Sequence, residues 1–253
     1  MMRVRTTSET VGECCFSGPE DFGSGSRSRS KVVQQHGLRV LQINLHHCKA
    51  AAAELLLSLT DSAVDIALVQ EPYLYKNRVS GLNNEHFSLF YTNNGDKVRT
   101  CIVARKSLNL IQLYNYSDGD TTVVRLDEVT GRALVLASVY MPYEAPDPPS
   151  GLVRKLVEET TGRCRLVMGC DANAHHFHWG SRDTNARAHH IIINSLHHHL
   201  QAYSTVQNII CSLTTSYRIA HNKEHITPSA LTHHRIPYAQ ITIYPSVTQH
   251  HNL

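Results

Sequence analysis

Residues 165–182 read RLVMGCDANAHHFHWGSR, and the fold turns on how this stretch changes character at its middle. Leu166, Val167 and Met168 make an apolar run that breaks at Gly169 and then delivers Asp171, Asn173 and His175, the pattern of a buried strand that ends in polar residues. The stretch thus supplies a carboxylate able to activate water or hold a metal, an amide able to orient it, and an imidazole. A D-x-N on its own is equally a turn former, so the rest of the chain has to decide.

Three other apolar runs end in the same way. Leu38–Ile43 alternates apolar and polar residues and closes at Asn44. Strong helix formers follow at Ala50–Ala53, Leu55–Leu57 and Leu59, with no Gly or Pro before Glu71-Pro72, and predict a helix. DIALVQ, residues 65–70, is a second short run; it places Glu71 directly before Pro72, which forbids a continuing helix. From Phe87 to Val139 the runs FSLFYT, TCIVAR, TTVVRL and RALVLASVY, separated by NNGD, SDGD and VTG, predict a meander. The last of them ends at Tyr140 and is stopped by Pro142; a Pro-rich loop at residues 145–150 then leads to a predicted helix over Leu152–Glu159. In layered α/β sheets ligand crevices lie beyond the carboxyl ends of strands, so Asn44, Glu71, Tyr140 and Asp171 are expected to converge on one site.

Composition sets the outer bounds. At 253 residues the chain is long enough to bury a large core, and one domain is preferred over two small ones. The formal net charge of +3 gives no single-sign field pointing to a nucleic-acid partner, so the partner must be argued from the site. Seven cysteines, odd in number and without C-x-x-C spacing, support neither a disulfide framework nor a zinc ribbon, and fit a reducing, intracellular compartment. No run of about 18 apolar residues and no apolar leader core is present, so neither a membrane span nor a secretory signal is read. Residues 1–37, rich in Ser, Gly and Arg with GSGSRSRS at 23–30, lack the apolar surface to offset ordering entropy and are expected to be a disordered leader. Of the 18 histidines, 14 lie at or beyond position 175, while Asp183 and Glu224 are the only acids after Asp171.

GCDANAHH followed by WGS resembles the endonuclease domain of non-LTR retrotransposon polyproteins, within the exonuclease-endonuclease-phosphatase superfamily. The similarity is close over residues 38–187 and weak over the His-rich residues 188–253. It implies an α/β sandwich of two mixed sheets packed face to face with helices outside, a four-layer fold in a domain spanning residues 38–253. It also implies Mg²⁺, or Mn²⁺, as cofactor and DNA as substrate, nicked to leave a 3′ hydroxyl for primed reverse transcription, with nuclear localisation if the target is genomic. Residue by residue, Glu71 in VQEPY matches the metal ligand and Asn44 in LQINL the amide that holds the metal or the neighbouring Asp. Tyr140 in SVYMPY matches the hydrogen-bond donor to the scissile phosphate, Asp171 the activator of water, and Asn173 the group that orients it. The terminal S-D-H of the family has its nearest counterpart in LTHHR, residues 231–235, with His234 as the catalytic imidazole and His233 where a carboxylate belongs; His175 is the other candidate for a phosphate contact. A histidine beside a histidine cannot supply the anion that raises an imidazole pKa. No D-V-T-L-like strand and no reverse transcriptase motif is found, so the chain reads as a fragment or remnant with slow cleavage. Three alternatives follow: an inactive copy, the same fold acting on RNA or a phosphoinositide, and a His-rich metal-binding protein. WGS favours the retrotransposon branch.

Overall fold

A computed structural model describes residues 37–61, 64–95, 97–127, 133–145, 148–176 and 183–190, together with the backbone of four strands between residues 201 and 243. The residues 1–37 read as a leader lie, all but Gly37, outside this set, as do the WGS motif and His233-His234.

Two βαβ units build the framework. In the first, β1 (Leu38–Asn44) runs through helix α1 (Lys49–Thr60) into β2 (Ile66–Gln70), and the two strands pair in parallel with Asn44 opposite Gln70. The short hairpin β3 (Leu74–Tyr75) and β4 (Arg78–Val79) precedes β5 (Phe87–Phe90) and β6 (Thr100–Arg105), which add antiparallel beside β2. After β7 (Ile111–Gln112) and β8 (Thr121–Leu126), the second unit runs from β9 (Leu134–Tyr140) through α2 (Gly151–Thr160) to β10 (Arg165–Asp171), again a parallel pair, with Asp171 opposite Tyr140. Parallel neighbours need a crossover, and a helix supplies it here in both cases. The backbones of β11 (Gln201–Thr205), β12 (Asn208–Ser212), β13 (Ile219–His221) and β14 (Tyr238–Ile243) complete the edges.

The result is two six-stranded mixed sheets, ordered β13-β14-β1-β2-β6-β5 and β11-β12-β10-β9-β8-β7. The expected two-sheet α/β sandwich is therefore what the chain forms. One detail differs: residues 87–139 are not a single meander, because β5 and β6 join the first sheet whereas β8 and β9 join the second. Turn signals mark where strands end, but hydrophobic alternation does not say which neighbour a strand pairs with. The strands of the His-rich region likewise belong to both sheets, β12 beside β10 and β14 beside β1.

Alternation along the central strands assigns the layers. Ile66 and Leu68 of β2 face inward to meet Val124, Leu134, Leu136 and Val167 of the other sheet, while Ala67 and Val69 face outward under Ala51, Ala52, Leu55 and Leu59 of α1. On the far side Ala137, Val139, Leu166 and Met168 lie under Val153, Leu156 and Val157 of α2. Burying a side chain such as Leu55 or Leu156 contributes about 1.5–3 kcal/mol, which is what holds each helix to its sheet. Ser150 caps α2, its hydroxyl accepting from the Val153 amide at 3.3 Å.

Near the strand ends the intersheet core turns polar. Gln42 Nε2 donates to Gln70 Oε1 at 3.0 Å, Gln70 Nε2 donates to Ser138 Oγ at 2.9 Å and to the Gly169 carbonyl at 3.0 Å, and Ser138 Oγ donates to the Val69 carbonyl at 2.8 Å. Buried amides in such a network tie the sheets in one register. Gly169 makes room for it: a Cβ there would stand 2.7 Å from Gln42 Cγ and 2.9 Å from Leu68 Cδ1. Among the described residues no helix is long and apolar enough to cross a membrane.

Candidate active site

Asn44, Glu71, Tyr140 and Asp171 stand at the carboxyl ends of the four parallel strands, two from each βαβ unit. Asn44 Nδ2 donates to Asp171 Oδ2 at 2.6 Å across the two sheets. The other Asp171 oxygen, Oδ1, accepts from the Asn173 amide at 3.2 Å, and Asn44 Oδ1 accepts from the His46 amide at 2.8 Å. Asn173 Nδ2 reaches the Met141 carbonyl at 3.1 Å, one residue beyond Tyr140. The carboxylate of Asp171 is thus buried and held on both oxygens.

The electrostatics follow from this crowding. Burial pushes the Asp171 carboxyl above the usual carboxylate range, and the nearby charge of Glu71 adds to the rise; the Asn173 amide, the Asn44 side chain and His46 pull it back. The Tyr140 phenol is raised by burial and by the charges of Glu71 and Asp171, against the opposing hydrogen bond of the Asn173 side chain. Tyr140 therefore stays protonated at neutral pH, as a donor must. His46 Nδ1 lies 3.5 Å from Glu71 Oε2.

The backbone here is strained. Glu71 (φ 47°), Asn173 (φ 46°), His46 (φ 47°) and His47 (φ 55°) all occupy the left-handed region. Such conformations cost on the order of 1–3 kcal/mol each in non-glycine residues and persist only where surrounding bonds over-determine them. Those bonds are visible: Glu71 donates its amide to the Arg99 carbonyl and accepts from the His47 amide, both at 2.8 Å.

Beyond Asp171 the chain doubles back. His175 Nδ1 lies 3.0 Å from Asp183 Oδ1, and the His175 amide donates to Asn185 Oδ1 at 3.2 Å. Arg187 then threads the loops together, donating to the carbonyls of Pro142 at 3.0 Å, Tyr143 at 3.2 Å and Ala145 at 2.8 Å, with its guanidinium over the Tyr143 ring. His234 lies outside the described residues.

Sequence reading passed over Gln42, Gln70, Arg99, Asp120 and Arg187. The two glutamines had a signal, since a Gln inside an otherwise apolar strand, as in LQIN and LVQE, must find a partner within the core. Arg99, Asp120 and Arg187 gave none, because their partners are remote in sequence.

The donor set suits a hard divalent cation. Glu71 lies near enough for its charge to raise the Asp171 carboxyl, and Mg²⁺ is held by one or two carboxylates with water completing its shell. Among the described residues no group of three or more His, Cys, Asp or Glu side chains is placed to hold a metal.

Comparison with known proteins bears on the fold. Residues 134–226 match the family model of the endonuclease-reverse transcriptase proteins, a stretch that includes β9, α2 and β10 and extends well into the His-rich region. No curated protein matches the sequence. Among solved structures, the endonuclease domain of TRAS1, a telomere-specific non-LTR retrotransposon, superposes with a TM-score of 0.58 at 19% identity, over 84% of this chain and all of that one. An endonuclease/exonuclease/phosphatase family protein from Bacteroides thetaiotaomicron gives a TM-score of 0.56 at 9% identity, covering 86% and 98%. The human Nocturnin catalytic domain gives 0.54 at 13%, covering 82% and 94%. Identities this low speak for the fold alone: the chain has the fold of the endonuclease/exonuclease/phosphatase proteins, and residues 134–226, which include the stretch read first, are similar to the endonuclease-reverse transcriptase proteins.

Proposed function

We propose that the protein is a Mg²⁺-dependent phosphodiester hydrolase that nicks DNA, in the manner of a retrotransposon endonuclease preparing a 3′ hydroxyl for reverse transcription. The observation that carries this reading is the bond from Asn44 to Asp171, 2.6 Å across the two sheets, with Glu71 and Tyr140 beside it. A raised carboxyl held on both oxygens is a base with a fixed direction. Asp171 accepts the proton of a water that attacks phosphorus; the P–O3′ bond breaks, the departing 3′ oxygen takes a proton from solvent, Asp171 returns its own to solvent, and the products are a 5′ phosphate and a 3′ hydroxyl. Tyr140 donates its phenol proton in a hydrogen bond to a non-bridging oxygen, while Asn44 and Asn173 keep Asp171 in place. Glu71 would hold the cation, which when bound offsets charge on the phosphate. Hydrolysis of this kind relies on positioning and electrostatics rather than covalent chemistry, which suits a site of fixed hydrogen bonds. If genomic DNA is the target, the enzyme works in the nucleus.

His175 is favoured over His234 as the imidazole at the phosphate, because Asp183 stands 3.0 Å from its Nδ1 and supplies the carboxylate that His233 could not. Nicking of supercoiled plasmid with and without Mg²⁺ tests the reading. Glu71→Ala and Asp171→Ala should each abolish metal-dependent nicking, and His175→Ala should slow it about 10²- to 10⁴-fold, the usual contribution of an acid-base partner. Equal rates for Asp171→Ala and the parent would refute the proposal; loss in His234→Ala but not in His175→Ala would return the imidazole to residue 234.

A further inference from the structure

An arginine and an aspartate not yet given a role stand beside this site. The Arg99 guanidinium grips Asp120 with two parallel bonds, Nη2 to Oδ2 at 2.7 Å and Nε to Oδ1, and about three-quarters of each side chain is buried. A fork on a carboxylate fixes the plane of the guanidinium as well as its position. That plane lies over the Tyr140 ring, 5.3 Å from its centroid, where the cation meets the negative face of the aromatic ring.

The same two residues also hold the backbone of the site. The Glu71 amide donates to the Arg99 carbonyl at 2.8 Å, and the Tyr140 amide donates to the Asp120 carbonyl at 2.8 Å. Arg99 is the residue before β6, in the first sheet, and Asp120 the residue before β8, in the second. A third bond, from the Arg99 amide to the Gly119 carbonyl at 2.7 Å, runs parallel to the ion pair. One arginine–aspartate pair therefore bridges the sheets at the level of the strand ends, with Glu71 tied to one partner and Tyr140 to the other.

An ordinary surface ion pair would contribute little. This one differs in having two-point geometry, an aromatic ring under the guanidinium, and two site residues bound to its own backbone. We infer that Arg99 and Asp120 form a positioning clamp that sets the placement of Tyr140 relative to Glu71 without touching the substrate. The inference rests on the hydrolytic reading of Glu71 and Tyr140 given above, and it assigns Arg99 no chemical step.

Two measurements on the full chain test it. The first is backbone amide exchange. In Arg99→Ala, the Glu71 and Tyr140 amides should lose protection together, while amides of β1 and β10 keep theirs. Unchanged protection at both would overturn the clamp, and this readout needs no catalysis, so an inactive parent would refute the hydrolytic reading while leaving the clamp decided. The second is a kinetic cycle in plasmid or oligonucleotide cleavage. Arg99→Ala should lower kcat about 10²-fold, as small misplacements do, with KM nearly unchanged. In a Tyr140→Phe background the same change should cost less than about threefold, because residues that act as a unit are non-additive. Full additivity, or a rise in KM at constant kcat, would show that Arg99 does not act through Tyr140 and would overturn the inference. Arg99→Lys, which keeps the charge but not the fork, serves if the alanine variant fails to fold, and should fall between the two.

Discussion

Replacing Asn44 by Ala tests the central contact of the site through stability alone. The change removes the 2.6 Å bond to Asp171 Oδ2 and the 2.8 Å bond that Asn44 Oδ1 accepts from the His46 amide. A bond to an ionised acceptor contributes about 1.5–3 kcal/mol and a neutral one about 0.5–1.5, so the loss should total about 2–4.5 kcal/mol when Asp171 is charged. For a domain of this size that is a fall in Tm of about 4–18 °C. The pH dependence distinguishes this contact from any ordinary truncation. Asp171 already has a native pKa above its unfolded value, so its ionisation opposes folding as pH rises. Asn44 restrains that rise; without it the native pKa climbs further, the variant holds its proton more tightly than the parent, and the destabilisation grows as pH rises through the interval between the two native values. Urea unfolding at a series of pH values, from below the unfolded-state Asp pKa upward, should therefore give a smaller difference at the acidic end. A difference below about 1 kcal/mol, or one that does not change with pH, would refute the account of Asp171 as a buried carboxylate that Asn44 sustains.

Four other outcomes are expected. Asp65 accepts from the Arg39 amide at 2.9 Å and from the guanidinium groups of Arg39 and Arg105 at 3.0 and 3.2 Å, so its carboxyl lies below the usual range although burial alone would raise it; Asp65→Asn should cost about 1–2 kcal/mol at neutral pH, the low end for partly exposed arginines, and the parent but not the variant should lose that increment as pH falls through the native pKa of Asp65 in acid titrations followed by circular dichroism. Gly169→Ala forces a methyl against Gln42 and Leu68 and should cost about 1–3 kcal/mol in denaturant unfolding, with a null effect arguing against the polar layer. Glu71→Gln relieves the like charge beside Asp171 and should raise stability by about 0.5–2 kcal/mol while abolishing nicking, the usual opposition between a functional site and stability. A chain beginning at Leu38 should melt at the temperature of the whole, since the composition of residues 1–37 offers no packing; a large drop would refute the reading of those residues as a leader.

The parts of the fold legible in the sequence were those with a local cause. Each βαβ unit showed as an apolar run, a helix-forming stretch and a second apolar run closed by Pro or Gly, and its strand ends were marked by polar residues directly after the apolar ones. Helix α1 is one residue longer at each end than Leu and Ala content alone suggested, a difference within ordinary fraying. What the sequence withheld was long-range partnership. Nothing in TCIVAR or TTVVRL says that the first joins β2 and the second β9, and nothing in TNARA says that Arg187 reaches back more than 40 residues to bind the carbonyls of Pro142 and Ala145. The His-rich stretch shows the same limit from the other side: its composition suggested drift, yet its strands pair with β1 and β10 by backbone bonds that composition does not govern.

The same division explains why the site could be read at all. Asn44, Glu71, Tyr140 and Asp171 are distant in sequence, but parallel pairing with registers Asn44 to Gln70 and Asp171 to Tyr140 leaves little freedom in where the strand ends fall. Convergence is then a consequence of topology rather than of the residues that converge. The residues themselves oppose it, by like charge between Glu71 and Asp171 and by left-handed backbone at Glu71, Asn173, His46 and His47. Stability for that arrangement has to come from elsewhere, and its sources lie directly beneath and beside the site: the Gln42, Gln70 and Ser138 network under it, Arg187 across its loops, and the Arg99–Asp120 pair between the sheets. A chain folded only for stability would have little reason to bring two carboxylates together at the one edge where both sheets end.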